Sequence, residues 1–389
     1  QRGLYLSLVI ANIFERMVMR RIKGTTKNIN LLQAGGTRST YDQTFILRGL
    51  IAHAKYIGIT LFLTLYDFQQ CFDNLWLEDS ILSLWKLGLE TDMLPLIYKM
   101  NETSKITVKT PVGNTDSFDI PLVCKQGTVL TPPLCSASVA ESCSEHTSGG
   151  ASIGQLRIQS LAFMDDLMDT NTTVADVQTA HEETKFFSKK KKMPLNEDKC
   201  IVLAVNSRHP HPMPVLSINN KKLKIKDKAK YLGDIFNQKG DNQDLIKDRK
   251  VSAIRCLISC ITECFTISRG AKAMNTLLML YHTVYLPTII YNSESWDNLT
   301  KNDINQLEVL QMKFLKRMVE TPKSTPNVVT LLELGVLPIE TAIRSRQLNY
   351  LHSILTREDR DPVKRTYKEL KKFTAQQDWA KEIEETRVR

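Results

Sequence analysis

Residues 158–168 read IQSLAFMDDLM, a short apolar stretch interrupted by two adjacent aspartates, Asp165 and Asp166. Two apolar arms around a polar centre predict a β-hairpin with the carboxylates at its tip. A second apolar run, residues 57–66, is rich in strand-forming residues and is followed directly by Asp67. We therefore expect a second strand that ends at Asp67 and presents this side chain close to the hairpin tip.

Three carboxylates at the boundaries of apolar strands need a partner, because burying unpaired carboxylates close together is costly. Divalent cations remove that cost, and Mg²⁺ prefers a few carboxylates together with substrate phosphate oxygens. Asp67, Asp165 and Asp166 are therefore candidate ligands for two metal ions, about 4 Å apart, that promote in-line phosphoryl transfer. The alternative is structural, since Asp pairs are common in turns, where their side chains cap backbone groups.

The rest of the sequence divides into a mixed α/β part, up to about residue 240, and a helical part after about residue 243. One helix is predicted to begin at Thr40, because Thr40 and Gln43 match a capping box. The other predicted elements are helices at 4–22, 77–87, 93–100 and 174–191, a strand at 201–205, and a hairpin over 106–123 with its turn at 112–114.

Composition excludes a wholly disordered chain, since 42% of the residues are hydrophobic and 24% are charged. Lys and Arg outnumber Asp and Glu by 52 to 42, which favours a polyanionic partner such as nucleic acid without proving it. No apolar stretch approaches the length of a membrane span, so we expect no membrane partner.

The eight cysteines include no CxxC pair of the kind found in zinc sites, which favours reduced thiols in an intracellular protein. Cys256, Cys260 and Cys264 recur every four residues and are predicted to line one face of a helix. The chain begins with Gln1 and has no signal-peptide pattern, so we expect a fragment of a longer protein.

Five short boxes occur in a single order along the chain. They are residues 67–73 (DFQQCFD), 125–132 (KQGTVLTP), 163–166 (FMDD), 195–199 (LNEDK) and 231–233 (YLG). A single box of this kind is a weak signal, whereas five in order are specific. The series resembles the reverse transcriptases of non-LTR (LINE-type) retrotransposons, and the resemblance covers nearly the whole chain.

The resemblance implies an α+β right-hand polymerase fold, in which fingers and a palm with an antiparallel sheet are followed by an all-helical thumb and connection. It divides the chain into partial fingers (1–60), a palm with fingers insertions and the primer-grip hairpin (61–240), and the helical thumb and connection (241–389). The same order of a mixed part and a helical part follows from periodicity alone.

The resemblance also implies roles for single residues. Asp67 and Asp165 correspond to metal ligands, and Asp166 completes the acidic cluster. Phe72 stands at the position of the steric gate, an aromatic ring that favours deoxynucleotides, although spacing alone favours an ordinary core phenylalanine. Lys199 corresponds to a lysine that donates a proton to pyrophosphate or screens its charge.

Two further groups of residues are implied to contact nucleotide and primer. The nucleotide-binding group is Lys125, Gln126, Gly127 and Arg38, and the primer grip is Tyr231, Leu232 and Gly233. Arg38 lies in the segment 33–40, which is about two residues shorter than the usual fingers loop of the family. Thr131 and Cys71 also depart from the residues common in the family, and these departures leave open an inactive copy.

The implied activity is RNA-directed DNA synthesis: extension of a DNA primer on an RNA template with deoxynucleoside triphosphates and two Mg²⁺ ions, for which Mn²⁺ can substitute. Endonuclease activity would come from a missing segment or another protein, and the expected location is the nucleus or cytoplasm. The alternatives are a catalytically inactive, nucleic-acid-binding remnant and a related polymerase of the maturase or telomerase type.

Overall fold

The computed structural model describes residues 9–25, 33–35, 38–102, 105–119, 128–145, 149–207, 212–263 and 271–373, together with Trp379, Ile383 and Thr386. The chain divides into two compact units. The first comprises Gln1–Gln43, Ile59–Ser152 and Arg157–Lys226, and the second comprises Thr44–Gly58, Ile153–Leu156 and Asp227–Arg389.

The helices of the described residues are α1 (Val9–Thr25), α2 (Thr40–Ile57), α3 (Cys71–Asn74), α4 (Leu77–Lys86), α5 (Met93–Glu102), α6 (Thr131–Glu145), α7 (Val174–Lys190), α8 (Gln243–Glu263), α9 (Ala271–Leu280), α10 (Leu286–Ile289), α11 (Lys301–Met318), α12 (Asn327–Leu334), α13 (Ile339–Thr356) and α14 (Pro362–Lys372). A π-helical turn, Tyr281–Tyr285, lies between α9 and α10, and a 3₁₀ turn, Ser293–Ser295, follows α10.

The strands of the described residues are β1 (Leu61–Tyr66), β2 (Lys105–Ile106), β3 (Lys109–Thr110), β4 (Gly113–Asn114), β5 (Phe118–Asp119), β6 (Ala151–Ile153), β7 (Leu156–Ile158), β8 (Ser160–Phe163), β9 (Asp166–Asn171), β10 (Ile201–Val205), β11 (Ser217–Ile218), β12 (Lys221–Lys222), β13 (Lys224–Ile225), β14 (Lys228–Tyr231) and β15 (Asp234–Asn237).

The first unit is built on a five-stranded sheet in the order β13-β10-β1-β9-β8. Its four strands β10, β1, β9 and β8 pair antiparallel, and β13 joins β10 in parallel. Strand β1 lies at the centre, and all but one of its residues are buried. This explains why its sequence is an apolar run rather than an alternation of apolar and polar residues.

Helices pack on this sheet and bury the core of the first unit. Helix α6 contacts β8 and α7 contacts β9. The core joins sheet residues such as Phe62 and Leu167 with helix residues such as Leu134 and Phe187. Helix α7 begins with a side-chain cap, because the Thr173 hydroxyl accepts a hydrogen bond from the Asp176 backbone N–H.

The second unit combines the β14–β15 hairpin with the C-terminal helices. Its core contains large, fully buried aromatic rings, including Trp296 and Phe314, which pack with residues of α8, α11 and α13. Helix α11 begins with a complete capping box formed by Thr300 and Asp303. One face of α11, including Leu307, is buried, as the apolar periodicity of this segment predicts.

Most predicted elements are confirmed, including strand β10 at 201–205, while several boundaries are wrong. Strand β1 starts at Leu61 instead of residue 57, because α2 continues to Ile57 and Gly58 then takes a left-handed conformation with φ 75°. Helix α2 begins at Thr40, and Ser39 N donates to Asp42 Oδ2 at 3.2 Å, so the capping pair lies one residue earlier than predicted. The turn of the β3–β4 hairpin falls at residues 111–112 rather than 112–114.

The described residues also bear on two further predictions, the cysteine repeat on one helix face and the lack of a membrane span. Cys256 and Cys260 lie on α8, and Cys260 is buried; Cys264 lies outside the described residues. Among the helices that the structure describes, none combines the length and apolar content needed to span a lipid bilayer.

Candidate active site

The two adjacent acidic residues lie at the tip of the β8–β9 hairpin. Strand β8 ends at Phe163 and β9 begins at Asp166, and these two residues are paired. Met164 and Asp165 form the turn between the strands, which confirms the predicted hairpin with carboxylates at its tip. The side chain of Asp165 is half-buried, and that of Asp166 is exposed.

Asp67 follows the last residue of β1, the strand next to β9. The two strands run antiparallel, and Tyr66 is paired with Leu167. One step further along this register, Asp67 lies opposite Asp166. The charges of Asp67 and Asp165 both act on Asp166, so the structure brings together the three acidic residues that the sequence analysis singled out.

The three carboxylates repel one another. The pKa of Asp166 is raised to about 6, first by loss of hydration and then by the negative charges of Asp165 and Asp67, while Lys199 acts in the opposite direction. The acidic cluster is therefore short of positive charge, and a cation bound there would remove the repulsion.

The contacts of the Asp67 carboxylate indicate whether a metal ion fits this cluster. Its Oδ1 atom lies 3.2 Å from Lys199 Nζ. Its Oδ2 atom is buried and has no hydrogen-bond partner in the described part of the chain. A buried carboxylate oxygen without a donor is costly, and hard divalent cations prefer oxygen ligands of this kind. The chemistry of Asp67, Asp165 and Asp166 therefore fits Mg²⁺.

The carboxylates do not form a closed set of metal ligands. Within the described ranges, no three Asp, Glu, His or Cys side chains are arranged to hold a metal ion together. Lys199 supplies positive charge to Asp67 in this arrangement. Metal binding to both oxygens of Asp67 would therefore require that a cation replace Lys199 at Oδ1 and that the carboxylates turn toward the cations.

The box at 195–199 lies directly beside Asp67. Asn196 N donates to Asp67 O at 2.7 Å, and Phe68 and Leu195 form an isolated antiparallel bridge. These backbone contacts hold the segment that carries Lys199 against the end of β1. Two boxes far apart in the sequence are thus neighbours in the structure.

The remaining predicted residues of the first unit have mixed outcomes. Phe72 lies on α3, is half-buried, and packs against the hydrophobic core, a placement that suits a core residue as well as a gate. Arg38 is half-buried just before α2, and its backbone N–H donates to Ala34 O at 2.9 Å. Lys125, Gln126 and Gly127 lie outside the described residues.

The predicted primer-grip residues belong to the second unit. Tyr231 is buried at the end of β14, and it is paired with Asp234 at the start of β15. Leu232 and Gly233 form the turn, with φ values of 46° and 89°. Two successive positive φ values are typical of a type I′ hairpin turn. Their contact with a primer stays a prediction.

The sequence analysis missed Gln33, which contacts the turn of the acidic hairpin. Met164 in that turn has a φ of 56°, and such a conformation costs a bulky residue about 1–3 kcal/mol. Gln33 Nε2 donates to Met164 O at 3.1 Å, and Gln33 Oε1 accepts from Met164 N at 3.1 Å. No periodicity or motif points to this pairing, because the two residues are 131 positions apart.

The comparisons with known proteins agree with the fold and the boxes. The family model described as reverse transcriptase (RNA-dependent DNA polymerase) matches residues 9–236. The structure of telomerase from Candida albicans, solved with a fragment of telomeric RNA, has a TM-score of 0.50 to this chain at 12% identity, and the match covers 98% of this chain and 59% of that one. This likeness confirms the mixed α/β fold followed by a helical region.

Two curated relatives are similar over most of the chain. One is the RNA-directed DNA polymerase from mobile element jockey of Drosophila funebris, 23% identical over 80% of this chain and 35% of the relative. The other is the retrovirus-related Pol polyprotein from type-1 retrotransposable element R2 of Popillia japonica, 22% identical over 84% of this chain and 46% of the relative. The chain thus spans less than half the length of these relatives. It belongs to the reverse transcriptase family, and its distant homologues are the enzymes of non-LTR retrotransposons.

Proposed function

We propose that this chain is an RNA-directed DNA polymerase that extends a DNA primer on an RNA template and copies the RNA of a retrotransposon. The observation that carries the proposal is the buried, unpartnered Oδ2 of Asp67 beside Asp165 and Asp166. A cluster of acids with excess negative charge and an open carboxylate oxygen is the arrangement that two-metal nucleotidyl transfer uses.

Asp67, Asp165 and Asp166 would hold two Mg²⁺ ions, or Mn²⁺ in their place. When bound, these ions supply activation of the primer 3′-hydroxyl and charge neutralisation on the leaving pyrophosphate. Lys199 Nζ, released from Asp67, would remain beside the cluster, where it can donate a proton to pyrophosphate or screen its charge. The chain's own contribution is to orient the carboxylates and to hold this lysine near them.

The other proposed roles follow from the family resemblance. Phe72 would exclude a ribose 2′-hydroxyl, and Arg38 would bind the triphosphate through its guanidinium. The group Lys125, Gln126 and Gly127 would line the nucleotide pocket, and Tyr231, Leu232 and Gly233 would grip the primer. The domain division into fingers (1–60), palm (61–240), and thumb with connection (241–389) belongs to the same proposal.

The partners would be an RNA template, a DNA primer and deoxynucleoside triphosphates. Endonuclease activity would come from a segment outside this chain or from another protein. Copying at a chromosomal site would place the protein in the nucleus for that step.

A second candidate is an inactive, nucleic-acid-binding remnant. The Lys199–Asp67 ion pair favours it, since this lysine occupies an oxygen that the polymerase reaction needs for metal. The two candidates differ in their response to Mg²⁺: only the polymerase requires the cation to displace Lys199.

Deoxynucleotide incorporation on a primed RNA template with Mg²⁺ tests the proposal. Asp165→Asn should lower the rate by about 10³-fold, because bound metal ions contribute several kcal/mol to the transition state. Asp116→Asn, which removes the same charge from an exposed loop, should leave the rate unchanged. Incorporation by Asp165→Asn at the wild-type rate would refute the metal assignment, and absent incorporation with intact, salt-sensitive RNA binding would favour the remnant.

A further inference from the structure

The turn that carries Asp165 has a conformation that its own sequence does not favour. Met164 is left-handed, with φ 56°, although glycine, asparagine and aspartate are the residues that commonly adopt this region. A bulky residue persists in such a conformation only where its surroundings determine the backbone. The groups that contact Met164 are therefore the groups that fix the acidic turn.

A single buried amide pairs with both backbone groups of Met164. Gln33 is 1% exposed; its Nε2 donates to Met164 O at 3.1 Å, and its Oε1 accepts from Met164 N at 3.1 Å. The same Oε1 also accepts from Gly35 N at 2.8 Å. The amide thus supplies the donor and the acceptor that a neighbouring strand would supply, without adding a charge next to the carboxylates.

The backbone that carries Gln33 is itself fixed against the edge strand β8. Ala34 N donates to Ala162 O at 2.8 Å. Gly35 approaches the turn so closely that a Cβ there would lie 2.6 Å from Met164 N. Ser136 Oγ donates to Gly35 O at 2.9 Å, so helix α6 holds the segment from the other side. Hydrogen bonds to β8 and α6 therefore hold the backbone next to Gln33.

We propose that Gln33 is a positioning residue that orients Asp165 and Asp166 by holding Met164 in its left-handed conformation. The inference rests on the proposed function, since the orientation matters only if these carboxylates bind metal. It explains why an amide is present: a carboxylate at position 33 could accept from the two N–H groups, but it could not donate to Met164 O and would add a fourth negative charge.

The test compares Gln33→Leu with the matched variant Gln43→Leu. Gln43 is also buried and donates to Ala162 O at 3.2 Å, on the same edge strand but before the turn. Both variants lose a buried amide hydrogen bond, so both should lower the melting temperature. Only Gln33→Leu should change the turn and the metal affinity.

Three measurements on the full chain distinguish the two variants. Hydrogen exchange at residues 163–167 should become about tenfold faster in Gln33→Leu, because the N–H of Met164 loses its acceptor. Mn²⁺ should bind about 10- to 100-fold more weakly, the usual effect of removing a group that orients metal ligands. The kcat for incorporation should fall about 100-fold, with a smaller change in the KM for deoxynucleotide.

Equal exchange rates and equal Mn²⁺ affinities in folded Gln33→Leu and Gln43→Leu would overturn the proposal. If Gln33→Leu does not fold, Gln33→Met and Gln43→Met replace the two leucine variants in the same comparison, since methionine keeps the length of the side chain and lacks the amide donor and acceptor. A wild-type chain that binds no Mn²⁺ and incorporates no nucleotide would refute the proposed function, while the exchange measurement would still decide whether Gln33 fixes the turn.

Discussion

Two hairpins of this chain have the same strand pairing, but the charged groups around their aspartates differ. In 163–166 and in 231–234, an aromatic residue ends one strand and is paired with the aspartate that begins the next. Each turn contains a bulky left-handed residue, Met164 with φ 56° and Leu232 with φ 46°. The strand pairing and the left-handed residue therefore do not explain why only one of the two aspartates belongs to an acidic cluster.

The charges around the two aspartates separate them. Asp234 is fully buried, and its carboxylate contacts Arg249 at 2.6 Å and Arg48 at 3.3 Å. Asp166 lies beside Asp165 and Asp67, and loss of hydration followed by these two negative charges raises its pKa. The negative charge of Asp234 is neutralised by two arginines, and this pairing stabilises the fold. Asp166 instead belongs to a cluster with excess negative charge, which a cation can neutralise.

The turns are held by different groups as well. In the second hairpin, Arg249 Nη2 donates to Gly233 O at 2.9 Å and Asn292 Nδ2 donates to Leu232 O at 3.0 Å. In the first hairpin, the neutral amide of Gln33 contacts the turn. A guanidinium in that place would compete with metal for the carboxylates. The neutral contact keeps the acidic cluster available.

The largest loss of stability is expected when Asp234, the neutralised aspartate, is replaced. Asp234→Asn removes the carboxylate that contacts Arg249 and one of the two carboxylates that contact Arg48, and removing one partner of a buried ion pair costs about 3–5 kcal/mol. We expect this loss in the free energy of unfolding measured with denaturant. The substitution Asp116→Asn, at an exposed aspartate in a loop, serves as the control. A loss below about 1 kcal/mol would show that the arginines do not depend on Asp234.

Glu141, in the first unit, is a third acidic residue that can be compared with Asp166 and Asp234. Glu141 on α6 contacts the buried ammonium of Lys191 at 2.5 Å and the exposed ammonium of Lys86 at 2.6 Å. Burial opposes ionisation, but hydrogen bonds from Lys191, Lys86 and Ser83 lower the pKa of Glu141 to about 2. Glu141 thus resembles Asp234 in being paired with two cationic side chains, although burial raises the pKa of Asp234 while the pKa of Glu141 is lowered.

Glu141→Gln should lower the free energy of unfolding by about 3 kcal/mol at pH 7. Because the folded pKa is depressed, this stabilisation is complete above the ordinary glutamate range and is lost as the pH falls toward 2. The difference between wild type and variant should therefore shrink by about 1 kcal/mol between pH 7 and pH 3.5. Glu182→Gln, at an exposed pair with Lys185, should cost less than about 0.5 kcal/mol. A pH-independent difference would contradict the assigned pKa.

The turn of the second hairpin should tolerate a side chain poorly. Gly233 has φ 89°, and a Cβ there would lie 2.7 Å from Tyr291 Cε1, so Gly233→Ala should cost about 1–3 kcal/mol. Gly335→Ala, at φ 61° with open space around its Cβ, has the backbone strain without the contact. Comparing the melting temperatures of the two variants separates the effect of backbone strain from the effect of the contact with Tyr291. Equal losses would mean that the close approach of Tyr291 contributes nothing.

The sequence predicts the parts of this comparison that depend on local pattern. Strand β10 and the acidic hairpin follow from apolar runs of strand length, and the three acids follow from their places at strand ends. The helical C-terminal region follows from its periodicity. Residue roles at Phe72, Arg38 and Lys199 stay predictions, because their chemistry depends on substrates.

The contacts that distinguish the two hairpins could not be predicted, because they join residues distant in sequence. Gln33 is 131 positions from Met164, and Arg48 is 186 positions from Asp234. Lys191 belongs to the same run of lysines, 189–192, as the exposed Lys192, yet it is buried against Glu141. Local propensity carries no information about such pairs, since they form only when the helices and strands pack.

The smallest expected effect has the opposite sign and is the sharpest test of the comparison. Asp166→Asn removes one of three mutually repelling carboxylates, so without divalent cations it should leave stability unchanged or raise it by up to about 0.5 kcal/mol, because solvent screens this exposed group. Asp234→Asn, the same change at the corresponding position, should be strongly destabilising. Added Mg²⁺ should then stabilise the wild type more than Asp166→Asn, since a ligand that binds only the folded state raises its stability. If Asp166→Asn costs as much as Asp234→Asn, Asp166 stabilises the fold as Asp234 does, and the contrast between a neutralised and an available aspartate fails.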